Sequence, residues 1–176
     1  MEKFDFVKYM EDCAVRLKDI LHTADNPRFF RISGISQLEE LLANLPDASW
    51  PALMVENNME GRFSDPGPSD NFLDMPYYTF YVIGKAPFND FDVIQEVKEN
   101  TKEIAEKIIA RMLHDRRNYR NGLVMLRFDN VPYQNIGPIG DQCYGTMISF
   151  TVINNCNSQY IQADWLPEKE PGSTGV

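Results

Sequence analysis

One run of seven residues, Tyr77 to Ile83 (YYTFYVI), restricts the fold of this chain more than any other feature. Aromatic and β-branched residues suit the half-buried surface of a sheet, and no glycine or proline interrupts the run before Gly84. A second run, Tyr144 to Ile153, alternates two sets of side chains at a period of two, which predicts a strand with two different faces. We therefore expect a sheet at the centre of the fold.

Two amphipathic segments are predicted to cover this sheet. From Phe4 to Leu21, apolar residues recur every three or four positions, as they do on one face of a helix. A longer helix is expected to begin at an Asp90 or Asp92 cap and to run to about Arg117, with one apolar stripe along it. Both segments have the spacing of surface helices packed on a core.

Four shorter segments complete the predicted order of elements. Asn26-Pro27 ends the first helix and is followed by a short extended segment, 29–32, and by a short helix that ends before Pro46. Strands are predicted at Ala52–Glu56 and at Leu123–Phe128. Strands paired around one covering helix favour an α+β fold with a mainly antiparallel sheet of about four strands, covered by the N-terminal helix and one long helix.

The size of the chain fits one domain. Its 176 residues, 43% of them hydrophobic, suffice to fill a single core. We expect one α+β domain over residues 1–162. Residues 163–176 are predicted to form a flexible tail, because they end in proline, glycine, serine and threonine without a core-forming pattern.

Residues 57–75 are predicted to form a long loop, because glycines and prolines recur among polar residues there. Long loops in compact domains often bind partners. This loop and its C-terminal edge hold four candidate interface side chains, which are Phe63, Phe72, Met75 and Tyr77. They either anchor a partner or fold back onto the sheet, and the sequence leaves both alternatives open.

Charge and hydropathy exclude several classes of protein. Seventeen basic and 26 acidic side chains give a net charge of −9, which disfavours a general or sequence-specific binder of DNA or RNA. No window approaches the roughly 18 consecutive apolar residues of a membrane span, and the first residues lack the apolar stretch of a signal peptide. We expect a protein of the bacterial cytoplasm, with three reduced, structural cysteines.

The sequence offers little material for catalysis. His22 and His114 are the two histidines, and Cys143 with His114 is the one conceivable thiol and imidazole pair. Asp90 and Asp92 resemble half a metal site, but capping of the long helix is the better interpretation. We therefore predict no catalytic residue, no metal and no cofactor. An enzyme with a carboxylate-based site in the concave face of the sheet remains an alternative.

One basic cluster stands out on this acidic chain, between residues 111 and 120. Its cations either complement the dipole at the C-terminal end of the long helix or receive an acidic partner or a phosphate backbone. The dipole interpretation is favoured. The second interpretation makes three arginines candidate interface residues, which are Arg116, Arg117 and Arg120.

The layout of these elements resembles the phage and prophage tail-terminator family, small neck or tail-completion proteins at the head-proximal end of a tail tube. The resemblance spans Phe4 to Ile153. It consists of the N-terminal amphipathic helix, a proline-led strand (WPALMVE), a long loop, an aromatic strand (YYTFYVIGK), a helix that holds IQEVKENTKEIAEKIIARML, and a closing pair of strands that ends in YGTMISFTV.

The resemblance implies a non-catalytic structural protein that forms a homo-hexameric ring, needs no cofactor and contacts tail-tube or head–tail connector proteins in a virion. An acidic ring would let DNA pass without sticking. The competing hypothesis is a cytoplasmic adaptor that holds a peptide or a protein with the 57–75 loop.

Overall fold

The computed structural model describes residues 4–46, 49–56, 60–65, 67, 71–127, 131–140, 142–157 and 161–166. Three α-helices and eight strands lie in these ranges. The helices are α1 (Phe6–Arg16), α2 (Ile35–Asn44) and α3 (Phe91–Arg117). The strands are β1 (Phe29–Ile32), β2 (Ala52–Glu56), β3 (Glu60–Ser64), β4 (Asn71–Lys85), β5 (Leu126–Arg127), β6 (Tyr133–Ile139), β7 (Cys143–Val152) and β8 (Asn154–Asn157).

The predicted α+β class is confirmed, but the sheet is larger than expected and it is mixed. Its central order is β1-β2-β4-β7-β5, with β3 and β8 on β4 and β6 on β7. The β1–β2 pair is parallel, whereas the other pairs are antiparallel. The predicted number of about four strands was wrong because it missed β3, β6 and β8 and could not tell that β1 joins the same sheet. The sheet is mainly antiparallel, as expected, apart from the β1–β2 pair.

Helices α1 and α3 cover one face of the sheet. Alternate residues of β4, among them Phe80 and Val82, lie in one apolar cluster with Met10 of α1 and Ile104 and Ile108 of α3. The side chains in between point to the other face, where Tyr81 and Ile83 join Leu38 and Leu42 of α2. The expected cover of an N-terminal and a long helix is confirmed, and α2 adds a second layer behind the sheet.

Aspartate side chains cap the N-terminal ends of α1 and α3. The Asp5 side chain caps α1 by accepting a hydrogen bond from the Lys8 amide at 3.1 Å. Asp90 caps α3 in the same way through the Val93 amide, also at 3.1 Å, as expected for one of the two candidate aspartates. None of the helices in the described ranges is both long and apolar enough to cross a membrane.

The prediction of a long loop over residues 57–75 was wrong for most of this range. Residues 60–64 form β3, and β4 already begins at Asn71. Of the glycine and proline residues that suggested irregular structure, Gly61 lies within β3, and the others follow β3 in the sequence before β4 begins. The predicted tail, 163–176, falls outside the described residues from 167 onward.

Candidate interaction surface

Two central strands run past the end of the helix-covered core. The same register continues from β7 into β8, since Lys85 opposes Cys143, Tyr77 opposes Thr151 and Asn71 opposes Asn157. Strands β7 and β8 therefore act as one strand interrupted at Ile153. The 15 residues of β4 span roughly 50 Å at the usual rise of a strand.

The far part of this ribbon is here named the β-arm, and it consists of β3, residues 71–76 of β4, and β8. None of its described side chains belongs to an apolar core cluster. Four of the five residues of β3 are exposed to solvent. A small antiparallel unit is marginal in water unless an apolar face is covered. The β-arm therefore offers backbone pairing and apolar side chains without a core of its own.

Close strand contact inside the β-arm depends on Gly61. A Cβ atom at this position would lie 2.8 Å from the Pro76 Cα atom and 2.9 Å from the Met75 carbonyl oxygen. Both neighbours are backbone atoms of the opposing strand, which cannot move aside independently. Glycine therefore allows β3 to lie against β4 here, although the sequence suggested a loop breaker.

The aromatic residues predicted in this region lie on two sides of the β-arm. Phe63 and Phe72 meet edge to face on one side, with ring centroids 5.0 Å apart. Phe63 still exposes 74% of its surface. Met75 and Tyr77 lie on the other side, because they alternate with Phe72 and Asp74 along the strand. The structure thus brings the four predicted residues onto the paired strands β3 and β4, with Tyr77 just beyond the β-arm, but divides them into two pairs.

Met75 and Tyr77 border an open groove, here named the arm groove, of about 730 Å³ at the base of the β-arm. Arginine, apolar and hydroxyl side chains line it, and none of its described lining residues is acidic. The lining residues are Arg62, Ser64, Leu73, Met75, Tyr77, Arg127, Pro132, Ser149, Phe150, Thr151 and Ile153. Sequence analysis missed Arg62 and Leu73, although the period-two spacing of Leu73, Met75 and Tyr77 is a strand signal.

The predicted basic cluster does not form one surface. The Arg116 Nη1 atom donates a hydrogen bond to the Leu126 carbonyl oxygen at 3.2 Å, which fixes the end of α3 to the next segment. Arg117 and Arg120 are exposed. His114, Arg116 and Arg117 occupy the last turn of α3, where cations are favoured by the helix dipole.

Arg111 leaves that cluster and joins a polar network between α1 and α3. It forms an ion pair with Asp12, and its guanidinium lies over the Tyr9 ring at 5.3 Å from the centroid. The Tyr9 hydroxyl donates to the Asp115 Oδ2 atom at 2.9 Å, and the Asn121 amide donates to the same atom at 3.1 Å. The buried carboxylate is thus satisfied by its neighbours, so the network holds α1 on α3.

The surroundings of this network shift two acid groups in opposite directions. Burial raises the pKa of the Tyr9 hydroxyl well above its ordinary value, and neighbouring negative groups add to this. Partial burial also acts to raise the pKa of Asp12, but the hydrogen bond and positive charge of Arg111 outweigh it, so the pKa of Asp12 is lowered. Tyr9 is therefore neutral and Asp12 ionised at neutral pH.

Cys143 and His114 are not brought together. Cys143 is buried in the cluster beneath α2, whereas His114 is exposed on α3, on the opposite face of the sheet. The Asp90 carboxylate is occupied as the α3 cap. Within the ranges that the structure describes, no group of three or more histidine, cysteine or acidic residues could hold a metal ion.

Comparison with protein-family models gave no match, and a search of curated proteins found no significantly similar sequence.

Proposed function

We propose that this chain is a non-catalytic structural assembly protein that joins copies of itself into a ring through the β-arm. In this proposal it resembles the phage tail-terminator family and contacts tail-tube or head–tail connector subunits. Its site of action is the bacterial cytoplasm, where virions assemble, and it becomes part of the virion. It requires no metal and no cofactor.

The single observation that carries the proposal is the β-arm itself. Its strands continue the central sheet beyond the helices, with no core side chain among their described residues. Apolar side chains such as Phe63, Leu73 and Met75 stabilise an assembly when a second surface covers them and removes them from water. A neighbouring subunit provides such a surface, and it also explains why pairing extends so far past the core.

The open edge of β3 supports the same proposal. Among the described strands β3 pairs with β4 alone, so its other edge presents unpaired backbone groups. Such edges pair readily with another chain. The net charge of −9 per subunit suits a ring around DNA, because an acidic lumen does not retain phosphates.

An adaptor that binds a peptide is the second candidate function, and the β3 edge and the arm groove together favour it. An extended peptide can add a strand to an open edge and place alternate side chains in an adjacent groove. An adaptor of this kind works as a monomer. The two candidates therefore differ in the mass of the pure protein in solution.

The test is light scattering on the full chain over a range of concentrations, with Phe63→Ser as the variant. We expect the wild type to reach a ring-sized mass and Phe63→Ser to need a higher concentration, because the variant removes an exposed aromatic contact. Val15→Ser, which alters a 48% exposed side chain on α1, is the matched control and should assemble normally. A strict monomer at every concentration would contradict the ring and favour the adaptor.

A further inference from the structure

A second exposed apolar feature lies where β4 leads into α3. Phe88 and Phe91 expose 60% and 80% of their surfaces, although neither is near the β-arm in sequence. Asp90 between them is the α3 cap, and Asp92 next to them is exposed. This pair of phenylalanines, here named the Phe knob, is therefore an apolar projection with an acidic side chain beside it.

The Phe knob and the arm groove are at opposite ends of the sheet. Strand β4 leaves the β-arm at Pro76 and ends at Lys85, about 30 Å further along at the usual rise of a strand. The Phe knob follows directly after that end. Two different surfaces at opposite ends of one subunit are what a head-to-tail contact between identical copies requires.

The two surfaces are also chemically complementary. The groove offers Leu73 and Met75, which adapt well to an aromatic ring, and the knob offers two rings. Arg62 in the groove is exposed and forms no ion pair with any described residue. Asp92 beside the knob supplies the opposite charge, while the described lining of the groove contains no carboxylate that would compete.

We propose that the Phe knob of one copy inserts into the arm groove of the next copy, with Asp92 facing Arg62 across the contact. This inference rests on the proposed ring and names one contact that builds it, on the side of the β-arm opposite to Phe63. Each copy then carries one knob and one groove, so the contact repeats around the assembly. Such a heterologous contact closes into a ring when the rotation between neighbours allows it.

The experiment is an exchange of charges between two variants of the full chain. In Arg62→Asp the groove residue that would face Asp92 becomes acidic like it, and in Asp92→Arg the knob residue that would face Arg62 becomes basic like it. Each variant alone places like charges in every contact. We expect each to need at least about tenfold more protein than the wild type for assembly at low salt.

An equimolar mixture of the two variants should restore assembly. Each acidic groove then receives a basic knob and each basic groove an acidic knob, so the two variants alternate around an even-numbered ring. Sedimentation velocity of the two variants and of their mixture measures this directly. Lys18→Asp makes the same change of charge at an exposed lysine outside every candidate interface and serves as the control, with wild-type assembly expected.

The Phe88→Ser/Phe91→Ser double variant tests the apolar part of the contact. Both side chains are largely exposed, so the fold should persist, as circular dichroism would verify, while assembly is lost. Wild-type assembly in Arg62→Asp, Asp92→Arg and the double variant would overturn the knob and groove contact but leave the ring standing. A wild type that never assembles would overturn both.

Discussion

The sheet has two halves that share the same strands but differ in what covers them. In the half here named the sheet body, residues 77–85 of β4 lie between α1 and α3 on one face and, toward the Lys85 end, α2 on the other. In the β-arm, none of the described residues 71–76 of the same strand belongs to an apolar core cluster, although Pro76 is buried. Backbone pairing alone therefore does not mark the limits of the core. In the proposed ring, a neighbouring subunit covers the strands that continue beyond the core.

The largest expected difference between the halves comes from deleting one aromatic side chain in each. Phe80 is fully buried in the sheet body, so Phe80→Ala should lower the free energy of unfolding by about 3–5 kcal/mol. Phe63 in the β-arm is mostly exposed, so Phe63→Ala should change the free energy of unfolding by less than about 0.5 kcal/mol. Urea unfolding of both variants below the assembly concentration measures this. If Phe80→Ala and Phe63→Ala lowered the free energy of unfolding equally, the sheet body and the β-arm would not differ as described.

A smaller effect is expected at the edge of the sheet body, from Asp12 on α1. Arg111 lowers the pKa of Asp12 in the folded chain, so this carboxylate stabilises the fold above its ordinary pKa of 3.8, and the contribution is lost as the pH falls through the lowered value. The Asp12 side chain is 38% exposed, so solvent screening limits the contribution to less than about 1 kcal/mol.

The variant Asp12→Asn tests the direction of this pH dependence. It should be less stable than the wild type at pH 7, and the difference should shrink as the pH drops below about 4. Urea unfolding at several pH values, with Asp65→Asn in the connection after β3 as the control, measures it. A difference that grows in acid would contradict the assigned ion pair.

The smallest effect on global stability is expected from Gly61→Ala. The added methyl group would press on the backbone of β4, so β3 should detach from its neighbour. Because none of the described side chains of the β-arm belongs to an apolar core cluster, the free energy of global unfolding should stay within about 0.5 kcal/mol of the wild-type value. Amide exchange of β3 should rise, and assembly should weaken. A cooperative loss of the whole fold would show that the β-arm is part of the core.

Local patterns predicted much of the sheet body. The predicted strand Ala52–Glu56 coincides with β2, and the long helix and its Asp90 cap were confirmed. These elements have apolar periodicity within one short window, which is what sequence reasoning can detect. The predicted N-terminal helix is also present, but it ends at Arg16 rather than at Leu21.

The elements that were not predicted either pair with residues far away in the sequence or contain glycine and proline, which usually interrupt strands. Strand β6 contains Gly137 and Pro138 and is mostly exposed at an edge of the sheet, where both residues are tolerated. The parallel pairing of β1 with β2 is a property of topology, which local periodicity does not encode. The hydrogen bond from Tyr9 to Asp115 joins residues 106 positions apart, so no local motif could indicate it.

The candidate site was predicted in part and for an incomplete reason. Phe63, Phe72, Met75 and Tyr77 were selected as aromatic or methionine side chains in a loop or at its edge. The first three lie on the β-arm instead, and Tyr77 lies where the β-arm meets the sheet body. Arg62 was not selected, because one arginine in a polar segment carries no pattern. Whether these residues contact a neighbouring subunit stays a prediction.

Amide hydrogen exchange of the full chain, followed by mass spectrometry below and above the assembly concentration, shows directly whether a neighbouring subunit covers the β-arm. We expect the sheet body to be protected at both concentrations, and β3 and residues 71–76 to become protected only above the assembly concentration. If the β-arm is as well protected as the sheet body in the monomer, or if its protection does not change on assembly, the β-arm is not a subunit contact.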